Sequence, residues 1–205
     1  MKFLEDNIMK KELLLYSEIK KHNIIKTFNE VALKNLSNVL LDIIKSVSHI
    51  YPAAQEWFVH KVIPDLENSN GNRDILFLFV YNDNNEKILA GLAILKKDIY
   101  EKKICTFHIK KEFRRNGLGN YLMDACIKFL GTTSPMITIA KSRIIPNDNN
   151  YLSFINFFNK YYPNQFKCLQ KLKDYYRDEY DEYVFNGKLP KISQNKIKTI
   201  KIHLI

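Results

Sequence analysis

At 205 residues, with 46% hydrophobic and 26% charged side chains, the chain is long enough to bury a core and too apolar for a disordered polypeptide. No apolar run approaches the ~20 residues that cross a bilayer, and the start, Met1-Lys2-Phe3-Leu4-Glu5-Asp6, turns acidic at once, unlike a secretory signal; a cytoplasmic protein with no membrane partner is expected. The net charge of +10 suits nucleic acid, an acidic partner or the phosphates of a coenzyme, and is also what a lysine-rich coding bias leaves behind.

Along the chain, Lys11 to Ile19 carry Leu13-Leu14-Leu15-Tyr16, compatible with a strand or with a turn of amphipathic helix. From Glu30 to Val47, apolar residues at 31, 33, 36, 39, 40, 43, 44 and 47 keep a helical spacing, with Pro52 beyond the end. A second helix is expected from Ala53 to about Leu66, bent or ended by Pro64. Residues 75–81 and 88–95, separated by Asn82-Asp83-Asn84-Asn85-Glu86, read as a β-hairpin. Lys103 to Ile109 forms a third strand. Tyr121, Leu122, Ala125, Cys126 and Phe129 then trace one face of a helix that Gly131 closes. Pro135 to Lys141 is expected as a strand, Tyr151 to Tyr161 as a helix and residues 182–185 as a late strand.

Nothing in this order marks a domain linker. One domain is expected over residues 1–187, followed by a basic extension, 188–205, that holds Lys188, Lys191, Lys196, Lys198 and Lys201 and no acidic residue. Cys105, Cys126 and Cys168 are an odd number without metal-like spacing, so neither a disulfide framework nor a metal site is expected, and Cys105 and Cys126 read as core filling.

The most informative stretch lies between the third strand and the following helix. Arg114 stands three residues before Gly117, and Gly119 follows two later, in a chain with only six glycines. Glycines let the backbone turn tightly and lie close to a ligand, so the amides from Arg115 through Asn116, Gly117, Leu118 and Gly119 to Asn120 can point into one concavity. Unpaired N–H groups and the positive end of a helix dipole favour an anion such as a diphosphate there. A dinucleotide fingerprint fails, because Leu122 stands where its third glycine would be, and a Walker loop fails for want of Gly-Lys-Ser/Thr. An ordinary strand-to-helix turn is the other reading.

The strand, the R-x-x-G-x-G loop and the helix resemble the acyl-CoA-binding motif of the GNAT superfamily of N-acetyltransferases. Arg114, Gly117 and Gly119 match its defining positions and Ile109 a hydrophobic strand position, while Lys111 stands where many members carry proline. The expected element order matches the family core from about residue 24 to residue 187. The resemblance implies an α/β (α+β) three-layer fold. Its central mixed, mostly antiparallel sheet is splayed at the acyl-CoA site and flanked by helices. It implies acetyl-CoA as co-substrate, without a metal, bound by main-chain groups of Phe107 to Ile109 and by the loop from Arg114 to Asn120. The partner would be an amine on a small molecule, a protein or an aminoacyl-tRNA, with other nucleic-acid partners open but not favoured; a monomer or homodimer is expected.

For general acid the family pattern F-Y-x-K-x-G-F falls on Phe157-Phe158-Asn159-Lys160-Tyr161-Tyr162-Pro163, so Phe158 takes the tyrosine's place. Tyr161, or Tyr151 and Ser153 at the helix start, are the substitutes. His108, beside the reaction centre, is the candidate base, and strand alternation leaves open which sheet face it occupies. The competing function is a GNAT-fold binding or regulatory module without turnover, or a toxin-like enzyme acting on aminoacyl-tRNA.

Overall fold

The computed structural model describes residues 10–21, 40–45, 48, 51–68, 71–141, 154–177 and 180–189. The segment whose conformation the sequence leaves open is both things in turn: strand β1, Lys11–Leu15, runs directly into helix α1, Tyr16–Lys21. Of the long helix expected over 30–47, residues 40–45 are helical (α2), and residues 30–39 fall outside the described residues.

The next helix, α3, does not stop at Pro64. It runs as Ala54–Trp57, a π-helical turn Phe58–Val62 and Ile63–Glu67. Proline lacks the N–H that the helix ladder needs. The widened turn places the break just ahead of it, with Ile63 N–H bonded back to Phe58 O, and leaves Pro64 in the first turn of the last segment, where the missing donor is harmless.

Strands β2 (Arg73–Tyr81), β3 (Lys87–Lys97), β4 (Lys102–Ile109), β5 (Met136–Ala140), β6 (Cys168–Arg177) and β7 (Tyr180–Phe185) join β1 in one sheet of order β1-β2-β3-β4-β5-β7-β6. Every pair is antiparallel except β4 with β5. The expected mixed, mostly antiparallel sheet is therefore present, with helices on both faces. Helices α4 (Leu118–Leu130) and α5 (Phe154–Tyr161) cover one face, with α1, α2 and α3 on the other.

Period-two alternation divides the strands between these layers. Leu76, Leu78 and Val80 of β2 pack toward α4 and α5, while Ile75, Phe77 and Phe79 pack toward α1, α2 and α3. Because both faces are covered, β2 and β3 are buried almost throughout, which is why they read as continuous apolar runs. Strand β6 is the element that the sequence does not announce. It lies on the sheet edge with Leu169 and Lys171 exposed, and its lysines, a common guard of an edge strand, hide its alternation. After β7, Leu189 packs on a small third cluster with Met136, Leu172 and Val184, and its N–H and C=O both bond the Gln170 side chain.

Candidate functional site

The parallel ladder between β4 and β5 is short. It pairs Lys103 with Met136 and Ile104 with Ile137 and then stops, whereas β4 stays on β3 as far as Ile109 opposite Gly91. The strands part at a bulge: Ile94 and Leu95 of β3 face Thr106 and Ile104, leaving Cys105 as the extra residue of β4. A bulge adds local twist and bends the strand that carries it, so β4 swings off β5 from this residue onward. A gap opens between residues 105–109 on one side and 138–140 on the other.

The loop after β4 is anchored at the head of this gap. Lys110 N–H bonds Ala90 O (2.9 Å), the bulged residue of β3, and a 3₁₀ turn, Lys111–Phe113, reverses the chain. Arg114 then reaches back, its Nε–H donating to Ile109 O at 2.9 Å. The arginine of the motif thus fastens the loop to the strand end. Arg115 and Gly117 both take left-handed backbone, with φ of 70° and 73°, and Gly117 is the N-cap of α4. A Cβ on Gly117 would meet nothing within 4 Å, so the demand for glycine there is one of backbone conformation.

Tyr121 N–H makes the first bond of the helix, to Gly117 O at 3.1 Å. The N–H groups of Leu118, Gly119 and Asn120 precede the ladder and project from the helix end, a geometry suited to an anion. A Cβ on Gly119 would sit 3.6 Å from the Phe157 ring, an ordinary van der Waals contact, so packing on α5 does not by itself demand glycine there. Leu118 is buried and anchors the first turn in the core. Gly131 closes α4 at φ 63°, its N–H on Ile127 O at 3.0 Å.

Helix α5 supplies an aromatic wall. Phe157 lies 6.5 Å from the Phe107 ring of β4 and 5.6 Å from Tyr162. Phe158, which the family pattern places at the tyrosine position, turns instead into the core, stacked on Phe166 at 4.0 Å and 3% exposed. Of the two rings, Phe157 is the one facing the loop and β4. Helical spacing explains the difference, since neighbours on a helix are ~100° apart and pattern matching with a one-residue uncertainty cannot choose between them. Tyr161 is exposed, its ring 5.5 Å from Phe157 and under Lys160. Ser153 and Tyr151 lie outside the described residues.

Three groups absent from the sequence reading emerge. Tyr162 is buried and its hydroxyl contacts Asn120 O (3.0 Å), Asn120 Oδ1 (2.6 Å) and Asp124 Oδ1 (2.8 Å), tying α5 to the first turn of α4. Burial, and then the Asp124 carboxylate, hold its proton far more tightly than an ordinary phenol's. Tyr51, ahead of α3, donates to Glu182 Oε1 of β7 at 3.2 Å and accepts from Ala140 N–H of β5 at 3.2 Å. Glu182 is 1% exposed, and burial pushes its carboxyl up to about 7, against the opposing pull of the Tyr51 and Thr138 hydroxyls and of Lys103. Nothing in the sequence brings these groups together, as 131 residues separate Tyr51 from Glu182.

His108 pairs with Leu92, a residue of the α1–α3 face, while Phe107 and Ile109 pack toward α4 and α5. Register therefore places His108 on the α1–α3 face. Among the described residues no cluster of His, Cys, Asp and Glu is placed to hold a metal ion, and no helix is long and apolar enough to cross a membrane. A separate groove of about 540 Å³ lies at the far end of the sheet, where Asp65 pairs with Arg73 and Ser17 bonds Asp74.

A mixed sheet that parts after a bulged strand, with a left-handed glycine loop opening a helix at the gap, makes a GNAT-like α/β fold. Residues 45–143, just under half of the chain, match the family model described as an acetyltransferase (GNAT) domain, which assigns this stretch to the GNAT superfamily. Similar solved structures include an aminoglycoside 6'-N-acetyltransferase complexed with coenzyme A, at 12% identity and a TM-score of 0.47 over 76% of this chain and 94% of that one. Another is PaiA N-acetyltransferase from Thermoplasma acidophilum in complex with coenzyme A, at 18% identity and a TM-score of 0.44 over 88% of this chain and 100% of that one. A search of the curated proteins finds no match.

Proposed function

We propose that the protein is an N-acetyltransferase that moves the acetyl group of acetyl-CoA to a primary amine by direct attack. The observation that carries this reading is the gap itself, bordered by strand backbone and headed by the projecting amides of Leu118, Gly119 and Asn120. A diphosphate fits that helix end, with Arg115, Asn116 and Gly117 contributing loop amides and Arg114 holding the loop in place. The strand backbone of Phe107 to Ile109 offers groups for the amides of a pantetheine arm and for the thioester oxygen, whose developing charge needs hydrogen-bond donors. Phe107 and Phe157 give the arm an apolar wall.

Acetyl-CoA would supply an activated acyl group; the chain's task is to orient it, exclude water and handle the protons of the amine. The acceptor belongs on the α1–α3 face, where His108 lies. Lys110, Lys111 and Arg115 beside the loop suit the nucleotide phosphates, and the charge of +10 gives only general support to a nucleic-acid acceptor. A binding module without turnover is the second reading, favoured by phenylalanine at both 157 and 158, where neither ring has a hydroxyl to protonate a thiolate.

Isothermal titration with acetyl-CoA, with desulfo-CoA and ATP as controls, tests the site. Micromolar binding that requires the pantetheine part is expected. Absence of binding refutes the assignment, and binding without acetylation of any amine favours the module.

A further inference from the structure

On the α1–α3 face, the Tyr51 side chain crosses the gap. Tyr51 packs on the cluster formed by α1, α2, α3, β2 and β3, yet its hydroxyl reaches β5 and β7, on the far side of the parted strands. Ala140 is the last residue of β5, three beyond the end of its ladder with β4, so the Ala140 N–H that bonds Tyr51 Oη marks the β5 edge of the gap. Because Ala140 donates to Tyr51, the phenol's own proton goes to Glu182, at 3.2 Å to Oε1 and 3.5 Å to Oε2. With Glu182 ionised, a short proton chain therefore runs from Tyr51 to a buried carboxylate.

We propose that Tyr51 and Glu182 are the proton-accepting pair for the amine, Tyr51 taking a proton from the incoming ammonium while passing its own to Glu182. This inference rests on the N-acetyltransferase reading. The free amine then bonds to the acetyl carbon, the carbon–sulfur bond breaks, coenzyme A leaves as a thiolate, and the second proton of the amine ends on that sulfur. With the product gone, Glu182, itself buried, returns its proton through the Tyr51 hydroxyl to water entering the gap. Tyr51 is the catalytic residue in this scheme, and Glu182, acting through it, is a positioning residue that stores the proton.

The surroundings of Glu182 fit a group that changes charge in each cycle. A carboxylate kept for structure is usually matched by a cation or several amides; here the partners are the Tyr51 and Thr138 hydroxyls, with Lys103 of β4 acting at longer range. Burial, and then the Glu182 charge, hold the Tyr175 proton of β6 more tightly than an ordinary phenol's, so it stays protonated between pH 6 and 9, and His108 of β4 lies on the same sheet face. Burial holds the Glu182 carboxyl near neutrality, where a base exchanges protons most readily.

The test is thiol release from acetyl-CoA between pH 6 and 9, with spermidine, tyramine and a peptide bearing a free N-terminus as acceptors. Wild type, Tyr51→Phe and Glu182→Gln are compared, each checked for acetyl-CoA affinity by calorimetry. Tyr51→Phe keeps the ring that packs, so it remains informative if Glu182→Gln unfolds. Both variants are expected to bind acetyl-CoA within about 2-fold of wild type and to lose roughly 100-fold in kcat at neutral pH, the usual scale for a positioned base. The limb of the pH profile near 7 should vanish. Hydroxylamine, already uncharged at neutral pH, should recover most of the enzyme-dependent rate in both variants, after subtraction of its uncatalysed cleavage of the thioester. An unchanged pH profile in the variants overturns the proposal and leaves the acetyltransferase standing. Acetyl-CoA binding with no thiol release to any of these amines also overturns it and leaves a coenzyme-binding module. Failure of wild type to bind acetyl-CoA removes the functional reading and this inference together.

Discussion

Replacing Glu182 with glutamine should change how stability depends on pH, quite apart from activity. The folded protein holds the Glu182 proton up to about pH 7, against an ordinary value of 4.5. Between those values the native state keeps a proton that the unfolded chain has released, so stability falls as pH rises through this window. Below it, both states are protonated and the group contributes nothing; above it, the full cost of the buried charge is present. A separation of about 2.5 pH units, at ~1.4 kcal/mol each, is about 3 kcal/mol. Glutamine keeps the shape and an acceptor for Tyr51 without the charge. Urea denaturation of wild type and Glu182→Gln from pH 4.5 to pH 8 isolates the effect, because contributions from other groups, including the buried Asp74, cancel in the difference. The variant should gain about 3 kcal/mol on wild type across that range. A difference that stays flat would mean that Glu182 titrates alike in both states, refuting a carboxyl whose proton is held by burial.

Gly117→Ala meets no steric obstacle, yet forces a left-handed residue, and should cost about 1–2 kcal/mol in urea denaturation while weakening acetyl-CoA binding. Gly117→Asn should cost less, since asparagine tolerates this region; equal losses would point to a cause other than backbone strain. Arg114→Ala removes a charged donor from Ile109 O, a bond worth about 1.5–3 kcal/mol, and should lower acetyl-CoA affinity by calorimetry through loosening of the loop; unchanged affinity would show that the tether is dispensable. Phe158→Tyr buries a hydroxyl against Phe166 and Phe185 and should destabilise by about 1–3 kcal/mol in thermal unfolding, whereas Phe157→Tyr, facing the loop, should stay within ~0.5 kcal/mol. Equal losses would contradict the orientation of α5.

The sequence determined those parts of the protein that depend on local chemistry. Apolar runs broken by asparagine turns specify β2 and β3, and Arg114 and Gly117 specify the loop, because left-handed backbone and an open helix end are properties of a few consecutive residues. Where two local preferences compete, the sequence falls short. Leu13 to Tyr16 satisfies a strand and a helix alike until pairing with β2 settles the first half, and Pro64, which can bend or end a helix, is accommodated by a π turn and does not end it. Strand β6 escapes notice because an edge strand's lysines answer to solvent rather than to a core.

Only the tertiary structure decided which side chains meet. Phe157 and Phe158 are equivalent in sequence until the core claims one of them, and His108 gains a face only from its register with Leu92. Tyr51, Ala140 and Glu182 are brought together by a strand order that sets β7 beside β5 and by the segment ahead of α3, whose tyrosine spans the gap. The position of a proton acceptor depends on burial and on partners distant in the chain, and those exist only once the sheet has formed.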